Sequence, residues 1–188
     1  MTEDQLRELI NGCLKGSRKA QESIYKLVYG KMLTVCMRYT RNVDEAQDIL
    51  QEGLLKMFSN LVKYNFEGSF EGWVRRIVVN TAIDSIRKKK NDFILLGEHQ
   101  SVEEFSEIVD EEEEEAEFDF KPSDILAAMQ KLTPAYQMIF NLYVFENMTH
   151  AEIAEKIGIN VGTSKSNLAK AKRNLKKILI NDFREQNG

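Results

Sequence analysis

A chain of 188 residues with 43% hydrophobic content carries enough apolar mass for one core or two small ones. Its net charge of -4 is unevenly spread: residues 1–90 hold 16 Lys and Arg against 11 Asp and Glu, residues 91–121 hold 1 against 13, and residues 122–188 hold 9 against 6. The pattern is two basic modules joined by an acidic tether; no run of about 18 apolar residues offers a membrane span, and two isolated cysteines, Cys13 and Cys36, offer no disulfide framework.

The N-terminus, MTEDQLRELINGCLKG, is acidic and amphipathic where a secretory signal is basic and then apolar, so the expectation is a soluble, cytoplasmic protein. Residues 3–12 read as a short helix with Leu6, Leu9 and Ile10 on one side, loosened afterwards by Gly12 and Gly16. A second helix starts near Ser17. Ile24, Leu27, Val28, Met32, Leu33, Val35 and Cys36 give it a long apolar repeat, with an interruption expected around Gly30.

Residues 43–61 form the third helix, with Asp44 as N-cap and acids in the first turns, where the helix dipole favours them. Ile49, Leu50, Leu54, Met57, Phe58 and Leu61 recur at three and four. Asp48, Gln51 and Glu52 then form one patch on the opposite side, which is either a solvated face or a docking surface. Gly53 inside this helix costs about 1 kcal/mol relative to Ala and weakens the expectation of a regular helix.

Residues 64–90 carry the most chemistry. Tyr64, Phe66 and Phe70 lie on a loop softened by Gly68 and Gly72, which runs into a helix ending in Arg87, Lys88, Lys89 and Lys90. Trp73, Val74, Ile77, Val78, Ile83 and Ile86 supply a stripe for a core, leaving Arg75, Arg76 and Asn80 for polar work. Flat rings beside cations suit single-stranded nucleic acid, where stacking is worth about 1–3 kcal/mol per base and the cations hold the backbone. The same aromatics would serve equally well as core.

Residues 91–121 are too charged and too poor in apolar surface to stay compact, so they read as a flexible linker, with Glu111 to Glu115 as an unbroken acidic run. Order returns at Pro122 and Ser123. A helix at 124–132 is followed by Thr133 as N-cap and Pro134 at the first helical position of another, to about Phe145. Thr149 to Glu152 is a capping box, Ile153, Ala154 and Ile157 face inward, Gly158 makes a turn, and a long helix spans 162–180. That is a helix-turn-helix pattern. Its second helix and approach carry Lys156, Lys165, Lys170, Lys172, Arg173, Lys176 and Lys177 with no acid between Lys156 and Asn181, as a major-groove helix would.

Taken together, these stretches resemble the small two-domain sigma factors of bacterial RNA polymerase, the extracytoplasmic-function group. DEAQDILQEGLLKMF is similar to the family's polymerase-docking helix. GSFEGWVRRIVVNTAIDSIRKK matches its W-x-x-R-I-x-x-N-x-A-x-D-x-x-R-[RK] pattern through Trp73, Arg76, Ile77, Asn80, Ala82, Asp84, Arg87 and Lys88. MTHAEIAEKIGINVGTSKSNLAKAKRNL is similar to its promoter-reading helix-turn-helix. The resemblance implies an all-α protein of two helical domains, 1–90 and 122–188, with 91–121 as linker.

It further implies that Asp48, Gln51 and Glu52 bind core polymerase. Tyr64, Asn65, Phe66, Gly68 and Ser69, with Trp73, Arg76, Asn80, Arg87 and Lys88, would take the minus-ten element and a base flipped from its non-template strand. Lys165, Ser166, Ala169 and Lys170 would read and grip the minus-thirty-five element, while Arg173, Lys176 and Lys177 would contact phosphates. Promoter DNA, core polymerase and a sequestering anti-sigma factor are the implied partners, with the free chain a monomer at work on the nucleoid. Within the RNA-exit path of the polymerase, Glu111 to Glu115 would mimic nucleic acid or act as a plain tether.

Four positions depart from the family pattern: Gly53 for an apolar residue, Gln137 and Asn167 for Arg, and Ser164 for Val. The Gln and Asn are expected to weaken phosphate grip, and Ser164 to loosen packing under the recognition helix. No metal, cofactor or catalytic role is expected: His99 lies in the linker and His150 in a helix's first turn without a nucleophile beside it. The competing reading is a stand-alone helix-turn-helix regulator, which leaves Asp48, Gln51, Glu52 and Asn80 without employment.

Overall fold

The computed structural model describes residues 1–88 and 120–187. Lys89, Lys90, His99 and the run Glu111 to Glu115 lie outside the described residues, and with them the expectations for the linker. The chain divides into two compact units, Met1–Ser85 and Ile86–Gly188, and all regular structure among the described residues is helical.

In the first unit, α1 (Glu3–Leu14) packs on α2 (Arg18–Met37), and α2 packs on α3 (Val43–Ser59). A 3-10 turn at Leu61–Lys63 leads through a loop to α4 (Phe70–Lys88), whose last residues run past the edge of the unit. Thr2 caps α1 through a reciprocal pair with Gln5. Ser17 caps α2. Asn42, not Asp44, caps α3: its side-chain oxygen accepts the Glu45 N–H at 2.8 Å, so the helix begins two residues earlier than a cap at Asp44 would set it, and Asp44 falls in the first turn. Ile24, Val28, Met32 and Cys36 of α2, Leu50, Leu54 and Met57 of α3, and Val74, Val78 and Ala82 of α4 form the core.

Three glycines behave differently from what composition suggests. Gly30 does not interrupt α2, which continues through it because nothing crowds the helix there and the apolar repeat on its inner face is unbroken. Gly12 lies within α1 as a point of close approach: a Cβ on it would stand 2.8 Å from the Ala20 Cβ of α2. Gly53 is likewise buried in an uninterrupted α3, where a Cβ would meet Val78 Cγ2 of α4 at 3.1 Å. The role expected of an apolar residue at 53 is thus taken by backbone, and helix α4 comes closer. Of the two glycines expected to loosen the chain after the first helix, Gly16 does so, turning at a φ of 81°.

In the second unit, α5 (Pro122–Gln130), α6 (Pro134–Val144) and α7 (His150–Ile157) pack on α8 (Val161–Asn187), and α6 also packs on α7. Pro122 and Pro134 both stand at helix starts, where a missing N–H costs nothing. Met129, Leu132, Met138, Ile139, Leu142, Ile153, Leu168, Ala171 and Leu175 fill the interior. Helix α8 extends well beyond the expected end at 180. Asp182 in that extension accepts from Lys131 at 2.7 Å, and Phe183 meets Phe120 edge-to-face with ring centroids 6.0 Å apart.

Gly12→Ala should lower stability by about 1–3 kcal/mol through overpacking against α2, whereas Gly30→Ala, with open space around it, should raise it by about 0.5–1 kcal/mol. Denaturant melts of the two variants give the signs directly.

Candidate nucleic-acid interface

The loop between α3 and α4 is built on Tyr64. Its ring is buried at 6% exposure, and its hydroxyl donates to the Gly68 carbonyl at 3.0 Å, closing the loop from beneath. Tyr64, expected among the base-contacting residues, is placed beneath the loop and supports it from below. The reason is aromatic packing: Phe66, Phe70 and Trp73 lie with ring centroids 4.9, 5.2 and 5.4 Å from Tyr64, and Phe70 stacks on Trp73 at 5.9 Å. Burial pushes the Tyr64 phenol above its ordinary range, with Glu3 adding to the shift and Arg7 opposing it.

Above this base the loop is exposed. Gly68 takes a φ of 76°, and Phe66 takes 64°, a left-handed conformation that a bulky residue adopts at a cost. Asn65 is exposed and accepts from the Glu67 N–H at 3.2 Å. Ser69 is exposed as well, yet its hydroxyl also caps α4 by accepting from the Gly72 N–H at 3.0 Å. Phe66 and Trp73 are half-buried, each presenting part of a ring.

Along α4, Phe70, Val74, Val78, Ala82 and Ile83 are buried, while Trp73, Ile77 and Ile86, expected in that stripe, are only half-buried. Arg76, Asn80, Asp84, Arg87 and Lys88 are exposed at spacings of three, four and one, so they share one side. Asp84 interrupts the cations. Loop and stripe meet at the start of α4, giving a polar surface with partly open rings at one end.

On α3, Asp48, Gln51 and Glu52 are all exposed and adjacent. Glu52 pairs with Lys56 at 2.7 Å, and Lys56 also donates to the Thr81 hydroxyl of α4 at 3.3 Å. Sequence reasoning missed a groove of about 380 Å³ beside this patch, lined by Tyr25, Tyr29, Leu54, Leu55 and Phe58 and shared with Gln51. Leu55 is 65% exposed there. The available signal was an apolar residue falling outside the buried repeat of α3.

In the second unit the helix-turn-helix is formed by α7 and α8. Thr149 and Glu152 make the capping box; the Thr149 N–H and hydroxyl hold the Glu152 carboxyl below its ordinary range. Gly158 takes a φ of 75° in the turn, and the Asn160 side chain caps α8 by accepting from the Thr163 N–H at 2.7 Å. Lys165, Ser166, Ala169, Lys170, Arg173, Lys176 and Lys177 are all exposed on α8, opposite buried Leu168, Ala171 and Leu175.

Two departures from the family pattern are corrected by burial. Ser164 is fully buried, and its hydroxyl lies 2.9 Å from His150 Nδ1, so it links the two helices instead of loosening them. His150 in turn stacks on Tyr143 at 4.7 Å. Gln137 is 3% exposed and lies inside the unit, not on its surface. Asn167 is half-buried. The two thiols are buried, and burial pushes Cys36 up to about 12, against the pull of Arg38. Among the described residues, no cluster of His, Cys, Asp and Glu can hold a metal, and no helix is long and apolar enough to cross a membrane.

Residues 24–91 match Sigma-70 region 2, and residues 123–175 match Sigma-70, region 4. The chain is 31% identical over 183 residues to the ECF RNA polymerase sigma factor SigW of Bacillus subtilis (strain 168), covering 94% of this chain and 98% of that one. It is 32% identical over 133 residues to the RNA polymerase sigma factor SigV of the same organism, covering 71% and 75%. Among solved structures, the sigma factor RpoE co-crystallised with the anti-sigma factor NepR from Bartonella quintana has a TM-score of 0.49 at 18% identity, over 84% of this chain and 95% of that one.

Ser164→Ala removes the link between α7 and α8 and should cost about 0.5–1.5 kcal/mol, read as a lower melting temperature of the second unit. The same substitution at exposed Ser166 should leave it unchanged.

Proposed function

The chain belongs to the extracytoplasmic-function group of the sigma-70 family, and on that premise we propose how its residues divide the work of a sigma factor. The protein binds core RNA polymerase, directs it to a class of promoters and helps open the DNA. Residues 1–90 take the polymerase and the minus-ten element; residues 122–188 take the minus-thirty-five element; residues 91–121 join them. One observation supports this division: the polar residues assigned to each motif are exposed, opposite buried Val74, Val78 and Ala82 on α4 and buried Leu168, Ala171 and Leu175 on α8.

Asp48, Gln51 and Glu52 present carboxylates and an amide to the polymerase, with the neighbouring apolar groove available to a side chain of the same partner. At the minus-ten element Asn65, Phe66, Gly68, Ser69, Trp73 and Asn80 receive an unpaired base, with Tyr64 holding their loop from below. Extruding a base costs a few kcal/mol, which ring stacking and hydrogen bonds to its edge offset. Arg76, Arg87 and Lys88 hold the strand's phosphates. On α8, Lys165, Ser166, Ala169 and Lys170 read and grip the minus-thirty-five element, and Arg173, Lys176 and Lys177 fix register on the backbone without specifying sequence.

We read the chain as non-enzymatic, since its thiols are buried and its one described histidine is engaged with Ser164. The family membership supports a cytoplasmic monomer that joins the nucleoid when active and is otherwise held by an anti-sigma factor.

Asp48→Lys reverses charge on an exposed face and should weaken binding to purified core polymerase about tenfold, about 1.4 kcal/mol, with the melting temperature unchanged. Fluorescence anisotropy of the labelled chain against core measures it. Equal affinity for both forms would remove Asp48 from the interface.

A further inference from the structure

Helix α1 was read from sequence as a packing element only, and none of its residues has been given a contact with DNA. Its Arg7 lies against the minus-ten loop. The guanidinium carbon stands 4.0 Å from the centroid of the Phe66 ring, within the range of a cation–π contact. Glu3 fixes it from the side, accepting from Nη2 at 2.7 Å and from Nε at 3.2 Å through one carboxylate oxygen. The Arg7 side chain nonetheless remains 47% exposed. It covers the ring and presents itself to solvent.

We infer that Arg7 is a nucleobase-contacting residue: it caps the Phe66 ring, which leans on buried Tyr64, and an unpaired base of the melted strand stacks on its guanidinium. A guanidinium is planar and cationic, so it offers a base a flat face and a nearby phosphate a charge. The tilted rings beneath it are anchored from below. Tyr64 is buried and tied to Gly68, and Phe66 lies 4.9 Å from it in a left-handed backbone conformation. A loop that only had to turn would place Gly or Asn at that φ, so the use of Phe66 there points to a need for its ring. Glu3 offsets part of the charge while leaving the plane in position.

This inference rests on the reading of the α3–α4 loop as the minus-ten site, and the test separates the two. Holoenzyme assembled from the full chain and core polymerase is titrated into a labelled single-stranded DNA pool of random sequence, about 20 nucleotides long, and into the same pool made duplex, with core alone as baseline. Arg7→Ala should weaken single-strand binding at least fivefold and duplex binding less than twofold. Arg7→Lys, which keeps charge and loses the plane, should recover less than half of the loss. Full recovery by Lys, equal losses on both pools, no loss, or tighter binding would each overturn the role given to Arg7. Asn80→Ala serves as the control: a loss there with none for Arg7→Ala sinks Arg7 alone, and no loss in either variant sinks the loop as well.

Discussion

The hydroxyl of Tyr64 donating to the Gly68 carbonyl is the contact on which the proposed DNA surface of the first unit depends. A surface that offers rings to a base must keep those rings from collapsing into the core, and a buried aromatic under the loop is one solution. Tyr64 supplies it, with Phe70 and Trp73 packed around it and Ser69 starting α4 at a defined place. The side of α4 bearing Arg76 and Asn80 then has a fixed relation to Phe66. In the second unit, Ser164 and His150 play the corresponding part by tying the two helices of the DNA-reading motif at a polar contact inside an apolar interior.

Close helix packing does the rest. Gly12 against Ala20 and Gly53 against Val78 let backbones approach, so a short unit can bury enough apolar side chain while leaving whole helix faces polar. The charges on those faces contribute little to stability. An exposed pair such as Lys31 with Glu71 is worth about 0–1 kcal/mol, and most α8 cations face solvent opposite its buried side. Their concentration on one helix answers to a partner, and a polyanion is the partner it fits.

Much of this was legible in the sequence. Helical periodicity placed every helix among the described residues, and the capping signals at Thr149, Thr133 and Pro134 gave accurate starts because they act within a few residues of chain. What escaped was tertiary. Whether Gly30 breaks a helix or Gly53 admits a neighbour depends on what lies opposite, and only packing decides that. Tyr64 and Phe66 are two residues apart with similar rings, yet one is buried and the other half-open; no local rule separates them. Ser164 and Gln137 looked like losses at the surface and are interior residues. Arg7 and Phe66 are 59 positions apart in the sequence, beyond the reach of any periodic pattern.

The central claim is promoter-specific initiation. Core RNA polymerase with and without the protein should be given sheared genomic DNA and the 5′ ends of the transcripts sequenced. The account predicts discrete starts that require the protein and share two upstream sequence elements. Starts that are indifferent to the protein, together with sequence-selective DNA binding by the protein alone, would contradict it and leave a helix-turn-helix regulator in its place.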